Sequence, residues 1–362
     1  MHRAWIAGKP AALEAAIGEA ARLLHASRQP LFAGLGTDVA GARAAIALAE
    51  RTGAVLDHMH AIALLRDLDV MRSSGVVLTT PGETRIRADT LLLVGPGLTE
   101  AWPEWLDCVA GKSERRIIWL CPGRDIANLT SRGMNTRAIG QDLRDLPVLL
   151  ASVRARLAGR PTAKTVLSST KLTETSNALK AAHFGVAIWS AAALDALSIE
   201  MICGLVNDLN ASTRFCALPL APADNAVGVL QTCGWITGFP VRTGFGRGYA
   251  AHDPWLCDGE RLVDSGETDC VLWISAYRAA APEWGKMPPT IALTGQQAAF
   301  REPPGVHIEV GHPGLDHDAV EYLAAAGTLA AVAATRPAAT LSVADVITRI
   351  ASALSKSGER PC

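Results

Sequence analysis

Apolar positions along the chain alternate between a helical spacing and short continuous runs, and together they predict an α/β protein. Residues 10–28 place alanine and leucine on one face of an amphipathic helix opened by Pro10. The buried strand LFAG (31–34) follows, then the helix AGARAAIALAERTG (40–53), capped by Thr37 or Asp38 and stopped at Gly53. GAVLDH (53–58) is a second strand, so the segment reads as one βαβ unit with parallel strands. LLLVG (91–95) and RRIIWLCPG (115–123) are apolar runs of the kind covered on both faces, and LPVLLASVRARLAG (146–159) is helical. A short α/β region thus spans 61–162.

A second set begins at Ala163. KLTETSNALKAA (171–182) reads as a helix, HFGVAIWSAAAL (183–194) as strand and turn, LDALSIEMICGLVNDLNAST (194–213) as an amphipathic helix and TRFCALPL (213–220) as a strand. Their likeness to LFAG and AVLD predicts that these strands join the first sheet. The expected division is 1–60 with 163–240 as one α/β domain, and 61–162 with 241–362 as another. Later come strands in ETDCVLWISAY (267–277), PPTIALTG (288–295) and VHIEVG (306–311). In GHPGLDHDAVEYL (311–323) the Pro313-Gly314 pair predicts a turn, with Asp316 or Asp318 capping a helix AVEYLAA (319–325). LSVADVITRIASALSKSGERPC (341–362) reads as a capped amphipathic helix with a frayed end.

One stretch breaks both periods. From Asp224 to Trp255 the chain carries Gly228, Gly234, Gly238, Gly244, Gly246 and Gly248 among Trp235, Phe239, Phe245, Tyr249 and Trp255. Closely spaced glycines spoil helix and let backbone approach a ligand or another chain, so this stretch reads as a long, ordered, functional or interfacial loop.

Composition narrows the classes. Of 362 residues, 49% are hydrophobic and 19% charged, which describes a globular chain long enough for more than one packed unit. A net charge of -1 gives no electrostatic case for nucleic acid or an anionic membrane. With no apolar signal core near the start and no run long enough to span a bilayer, the reading is cytoplasmic. The cysteines at 108, 121, 203, 216, 233, 257, 270 and 362 include no C-x-x-C pair, so they read as unbridged thiols and not as a zinc or iron–sulfur framework.

Several residues carry candidate chemistry. Gly34, Gly36 and Gly41 approach a dinucleotide fingerprint, with Asp57 placed where a ribose-binding acid would sit. His58 and His60, and later His312, Asp316, His317 and Asp318, are metal-ligand types at close spacing. Helix caps, turns and strand ends account for the same residues without a ligand.

The run TGFPVRTGFGRGYAAHDP (237–254) resembles the pterin-cleft loop of the B subunits of formylmethanofuran dehydrogenases, members of the molybdenum/tungsten-bis-pterin oxidoreductase superfamily. GETRIRADTLLLVGPGLTEAWP (82–103) is similar to that family's helix, RAD strand and Gly/Pro turn. The resemblance covers about Gln29 to Gly314 and implies two interleaved Rossmann-like parallel-sheet domains, as in domains II and III of formate dehydrogenase and DMSO reductase. It also implies a pterin cleft at Gly34, Gly36, Thr237, Gly238, Arg242, Gly246, Arg247 and Tyr249. In the family, a strand like AVLDH leads to the cysteine or selenocysteine that ligates the metal. This chain has Met59, His60, Ala61, Ile62, Ala63 and Leu64 there, and its first cysteine is Cys108.

The resemblance therefore implies a branch without the metal, the B subunits of bacterial formyltransferase/hydrolase complexes of one-carbon metabolism. Catalytic residues, metal and cofactor are then none, and the cleft is vestigial. The implied partners are an amidohydrolase-like A subunit, a C subunit and a formyltransferase D subunit. A methanofuran-type carrier would pass between formyl-tetrahydromethanopterin and formate. Arg242 and Arg247 would pair with acidic groups on a partner or a glutamate-bearing carrier, and the loop aromatics would fill the old cleft or form a contact with another chain. Two alternatives stay open: an active pterin dehydrogenase with His60 or Asp67 as ligand, and a nucleotide-binding protein using Gly34, Gly36 and Asp57.

Overall fold

The structure is a computed structural model describing residues 3–109, 115–125, 127, 136–140, 142–162, 167–285, 287–295, 298–336 and 340–356. It divides into two compact units, one of residues 1–61, 224–322 and 329–362, the other of 62–223 and 323–328.

The first unit is built on a nine-stranded sheet. Its parallel centre runs in the order Val55–Leu56, Pro30–Gly36, Cys270–Ser275, Thr290–Thr294 and Val306–Glu309. Short antiparallel strands close each edge: Thr243–Gly244 and Ala251–His252 beside Val55–Leu56, and Ala4–Ile6 and Lys9–Pro10 beside Val306–Glu309. Asp38 caps the crossover helix Val39–Thr52 by accepting from the Gly41 N–H at 3.0 Å, and Gly53 ends it in the left-handed conformation. The helix Val343–Lys356 buries Val343, Val346, Ile347 and Ile350 and packs on the helices Leu13–Ala26 and Val39–Thr52. Pro10 lies in the edge strand, and the first helix begins at Leu13.

In the second unit five parallel strands run in the order Thr136–Ile139, Arg116–Leu120, Thr90–Val94, Phe184–Trp189 and Arg214–Pro219. Leu91 and Leu93 enter one core and Leu92 and Val94 the other, which is why LLLV reads as a continuous apolar run. Thr80 and Asp195 cap the helices Pro81–Arg87 and Ala196–Leu209 through their side-chain oxygens.

Three sequence expectations are corrected. The strands Phe184–Trp189 and Arg214–Pro219 do not join the sheet of Pro30–Gly36, whereas Cys270–Ser275, Thr290–Thr294 and Val306–Glu309 do, so the expected domain division (1–60 with 163–240, 61–162 with 241–362) does not hold. Strands buried on both faces share one apolar pattern, which says nothing about which neighbour each one takes. Shape complementarity between neighbours accompanies the pairing: the Phe215 ring fills the space over Gly185, where a Cβ would lie 2.1 Å from it. AVEYLAA is a hairpin arm, Ala319–Leu323 with Thr328–Val332, and not a helix. Asp318 accepts from the Ala334 N–H and Asp316 pairs with Arg336, so these acids clasp the hairpin. The glycine-rich stretch starts with a helix, Ala226–Thr237, and is a loop only from Gly238 onward. Gly228 sits where a Cβ would meet the Asn225 side chain at 2.1 Å, so here a glycine permits a helix start.

Gly34 has φ +76°, and a Cβ there would lie 2.5 Å from the Ile274 carbonyl oxygen. Gly18, exposed within the first helix, has open space around it. Gly34→Ala should therefore lower unfolding free energy by roughly 2–4 kcal/mol. Gly18→Ala should raise it by about 0.5–1 kcal/mol. Chemical denaturation of the two variants checks both signs.

Candidate functional site

Open parallel sheets place ligands at the carboxyl ends of their strands, where the strand order reverses. In the first unit that point falls between Pro30–Gly36 and Cys270–Ser275. The segments leaving these strands, with Asp57–His60 and Asp224–Asn225, bring Gly36, Met59, His60, Asp224 and Arg278 together.

A buried carboxylate organises this cluster. Asp224 receives the His60 Nε2 at 2.9 Å and the Arg278 Nε at 2.9 Å, while the Arg278 Nη2 closes on its second oxygen. Burial alone would push Asp224 upward, but the hydrogen bonds from His60 and Arg278 outweigh it and hold the carboxyl below its ordinary range. Asp224 and Asn225 both have positive φ, 58° and 55°. The Asn225 amide holds that shape by donating to the Thr37 carbonyl and accepting from the Tyr322 N–H, each at 2.8 Å.

The neighbouring histidine is inert as a base. His58 is buried, its Nδ1 accepts from the His60 N–H at 3.0 Å, and burial and then the adjacent His60 pull it down to about 3. His60 is committed to Asp224. No group of three or more His, Cys, Asp or Glu capable of holding a metal occurs among the described residues. Asp67 accepts from the Trp189 indole at 2.9 Å, and burial raises its carboxyl to about 7. Cys257 packs near Gly244, and burial raises its thiol, as it does for Cys121, Cys203, Cys233 and Cys270. These thiols are kept protonated, the opposite of what ligating thiolates need. The residues at the family's ligand position do not fit a thiolate-bound metal.

The nucleotide reading fails on the same geometry. Gly34 makes room for the neighbouring strand, and a Cβ on Gly36 would meet Met59 at 3.2 Å and Asp224 at 3.4 Å, so the turn is packed from within. Asp57 is 4% exposed and accepts from the His58 and Gly259 N–H groups at 2.9 and 2.8 Å. Burial beneath these contacts keeps the Asp57 carboxylate from the surface where a ribose would lie.

The remaining cleft residues form a second group. Arg242, at φ 63°, reaches Asp57 at 3.4 Å, Asp258 at 2.7 Å and the Pro254 carbonyl at 2.7 Å. It is an internal tie and is not available to a partner or a carrier, contrary to the sequence reading. Thr237 and Gly238 end the helix Ala226–Thr237: the Thr237 hydroxyl bonds to the Cys233 carbonyl and accepts from the Phe239 N–H, and Gly238 takes the left-handed cap. Gly246, Arg247 and Tyr249 are exposed on the hairpin loop. Of the aromatics only Phe245 is buried, whereas Trp235, Tyr249 and Trp255 are 69%, 59% and 65% exposed.

Sequence reasoning missed Asp224, Asp258 and Arg278. Asp-Asn ahead of an apolar run marks a left-handed turn into a helix, and that signal was present for Asp224. The pairing partners, far apart in sequence, left none.

Comparison with known proteins gives this geometry a context. No protein-family model matches the chain. The chain is 34% identical over 367 aligned residues to the B subunit of the formyltransferase/hydrolase complex Fhc of Methylorubrum extorquens, covering 98% of this chain and 99% of that one. It is 26% identical to the B subunit of the tungsten-containing formylmethanofuran dehydrogenase 2 of Methanococcus maripaludis, covering 74% of this chain and 65% of that protein. Among solved structures, a chain of the X-ray structure of the FhcABCD complex from M. extorquens with methylofuran superposes with a TM-score of 0.86 at 34% identity. That match covers 98% of this chain and 99% of the other.

Burial raises Asp57 to about 7 against the pull of Arg242 and two backbone donors. A folded pKa above the unfolded value means the folded state binds the extra proton between about pH 4 and pH 7. Stability contributed by Asp57 is therefore present at the acid end and lost as pH rises through that window. Relative to Asp57→Asn, the wild type should lose a few kcal/mol from pH 4 to pH 7, read by urea denaturation at each pH. Arg242→Met, which strands two carboxylates, should destabilise by roughly 3–5 kcal/mol at neutral pH.

Proposed function

The chain belongs to the family of the B subunits of formyltransferase/hydrolase complexes, and from that membership we propose that it is a structural component of such a complex, carrying no redox chemistry of its own. The match to the Fhc B subunit carries this reading, since it runs through nearly the whole of both chains in sequence and in fold. The local chemistry supports it. A segment of Met59 to Leu64 replaces the thiolate position of the dehydrogenases, and hydrogen bonds within Asp57–His60, Asp224 and Arg278 occupy most of the polar groups there, the buried His58 Nε2 excepted.

On this reading an amidohydrolase-like A subunit hydrolyses the formyl carrier, a D subunit transfers the formyl group, and this chain with a C subunit holds them in place. A methanofuran-type carrier runs between the two chemistries, taking formyl groups from formyl-tetrahydromethanopterin and releasing formate. The site residues act through structure, and the catalytic set of this chain is empty. We place the assembly in the cytoplasm; among the described residues no helix is long and apolar enough to cross a membrane.

Co-expression with the three companion subunits tests the proposal. The expected outcome is one complex that releases formate from formyl-tetrahydromethanopterin, with no activity from this chain alone. Elemental analysis of the purified complex should find molybdenum and tungsten far below one atom per chain. Stoichiometric tungsten or molybdenum held by the isolated chain overturns the reading.

A further inference from the structure

We infer that a groove on the first unit receives the same groove of a second copy of this chain, with the two helices Val39–Thr52 lying antiparallel about a two-fold axis. In that arrangement Arg43 of each copy meets Glu50 of the other. Self-association of this kind is independent of the function proposed above.

The groove has a volume of about 470 Å³ and runs along the helix Val39–Thr52, with Ile236 of the helix Ala226–Thr237 on its rim. Ala40, Ala44 and Ala47 line it, and Ile46 is buried at its edge. Methyl side chains let a second helix approach to the short end of the interaxial range, roughly 8 Å. Ile236 is 50% exposed, an apolar edge left uncovered beside those alanines.

Two opposite charges frame this surface, and neither is engaged. Arg43 and Glu50 are exposed, and neither has an ion pair or a side-chain hydrogen bond among the described residues. Arg51, by contrast, is held by the helix Val343–Lys356, where it donates to Ser355 at 2.8 Å. Seven residues separate Arg43 from Glu50, so they lie within about 20° of each other around the helix and about 10.5 Å apart along it. Ion pairs within one helix join residues three or four apart, and this spacing is twice as long.

Spacing and sidedness choose the occupant. A two-fold axis crossing the helix beside Ile46 and Ala47, midway between the two charges, exchanges position 43 with position 50. In antiparallel helices each flank faces its own counterpart, so Arg43 approaches Glu50 of the second copy while Glu50 approaches its Arg43. Both pairs form at once, as an isologous contact requires. The same rotation brings the two Ile236 side chains to one flank, beside the paired charges. One helix pair with its flank sits at the small end of protein interfaces, so the dimer should be reversible and concentration-dependent.

Sedimentation velocity over a concentration series tests this on the whole chain. The samples are wild type, Arg43→Glu, Glu50→Arg, the double exchange Arg43→Glu/Glu50→Arg, and Ala47→Trp, with circular dichroism melts to establish that each folds. Wild type should show a monomer–dimer equilibrium. Each single exchange, which sets like charges face to face twice, should weaken it at least about tenfold, and the double exchange should return it to within about threefold of wild type. Ala47→Trp, which fills the groove, should abolish the dimer. A wild-type chain that stays monomeric, a dimer indifferent to the single exchanges or to Ala47→Trp, or a double exchange that fails to restore it each overturns the proposal. A dimer that dissolves when the three companion subunits are added assigns the groove to one of them and overturns it as well. The structural-component reading is judged separately, by formate release and metal content, so the two can fail apart.

Discussion

A single guanidinium decides the conformation of much of the first unit's functional edge. Arg242 sits in a left-handed backbone conformation that costs an ordinary side chain on the order of 1–2 kcal/mol, and it recovers this through two carboxylates and a carbonyl. Its N–H donates to the Leu56 carbonyl and its own carbonyl accepts from the Asp253 N–H, so the same residue adds an edge strand and closes the loop. Asp57, at the end of a buried strand, is so desolvated that its carboxyl stays raised to about 7 even with these partners. The residues that sequence spacing offered as a ribose acid and a partner-facing arginine are in contact with each other, at 3.4 Å.

That exchange of roles runs through the whole carboxyl edge. In this family's metal-bearing relatives the resemblance implies a soft ligand on the segment after the strand. Here polar groups of the segment pair with one another, Asp57 with backbone N–H groups, the His58 Nδ1 with the His60 N–H, His60 and Arg278 with Asp224, while the buried His58 Nε2 is left without a partner. Buried polar networks are tolerated when their members have partners, and the unpartnered His58 Nε2 is the exception in this one. One scaffold can outlast a change of its reactive groups, so fold transfers between related proteins more readily than activity.

Most helices and strands are legible in the sequence because each carries its own signal. Asp38 before an alanine-rich run, Gly53 after it, and the apolar LLLV are local facts about local structure. Sheet membership is not legible. The runs LFAG, LLLV and CVLW are interchangeable on paper, and the fit between neighbours, as of Phe215 over Gly185, is visible only in the fold. AVEYL misleads for a related reason: its alanine, glutamate and leucine favour helix, but pairing with Thr328–Val332 and the clasp of Asp316 and Asp318 override that preference. The cluster around Asp224 requires knowing that residues near 60, 224 and 278 converge, which only the tertiary structure supplies.

The interleaving of the chain has an outcome for its biosynthesis. The second unit is drawn mainly from one continuous stretch, 62–223, whereas the strand Pro30–Gly36 takes as its neighbour Cys270–Ser275, far downstream. On the ribosome the early βαβ piece emerges with one flank of a fully apolar strand unpaired, and it stays so until translation is well past the middle. Such a flank invites pairing with other nascent chains, which gives chaperones a reason to shield this segment during synthesis.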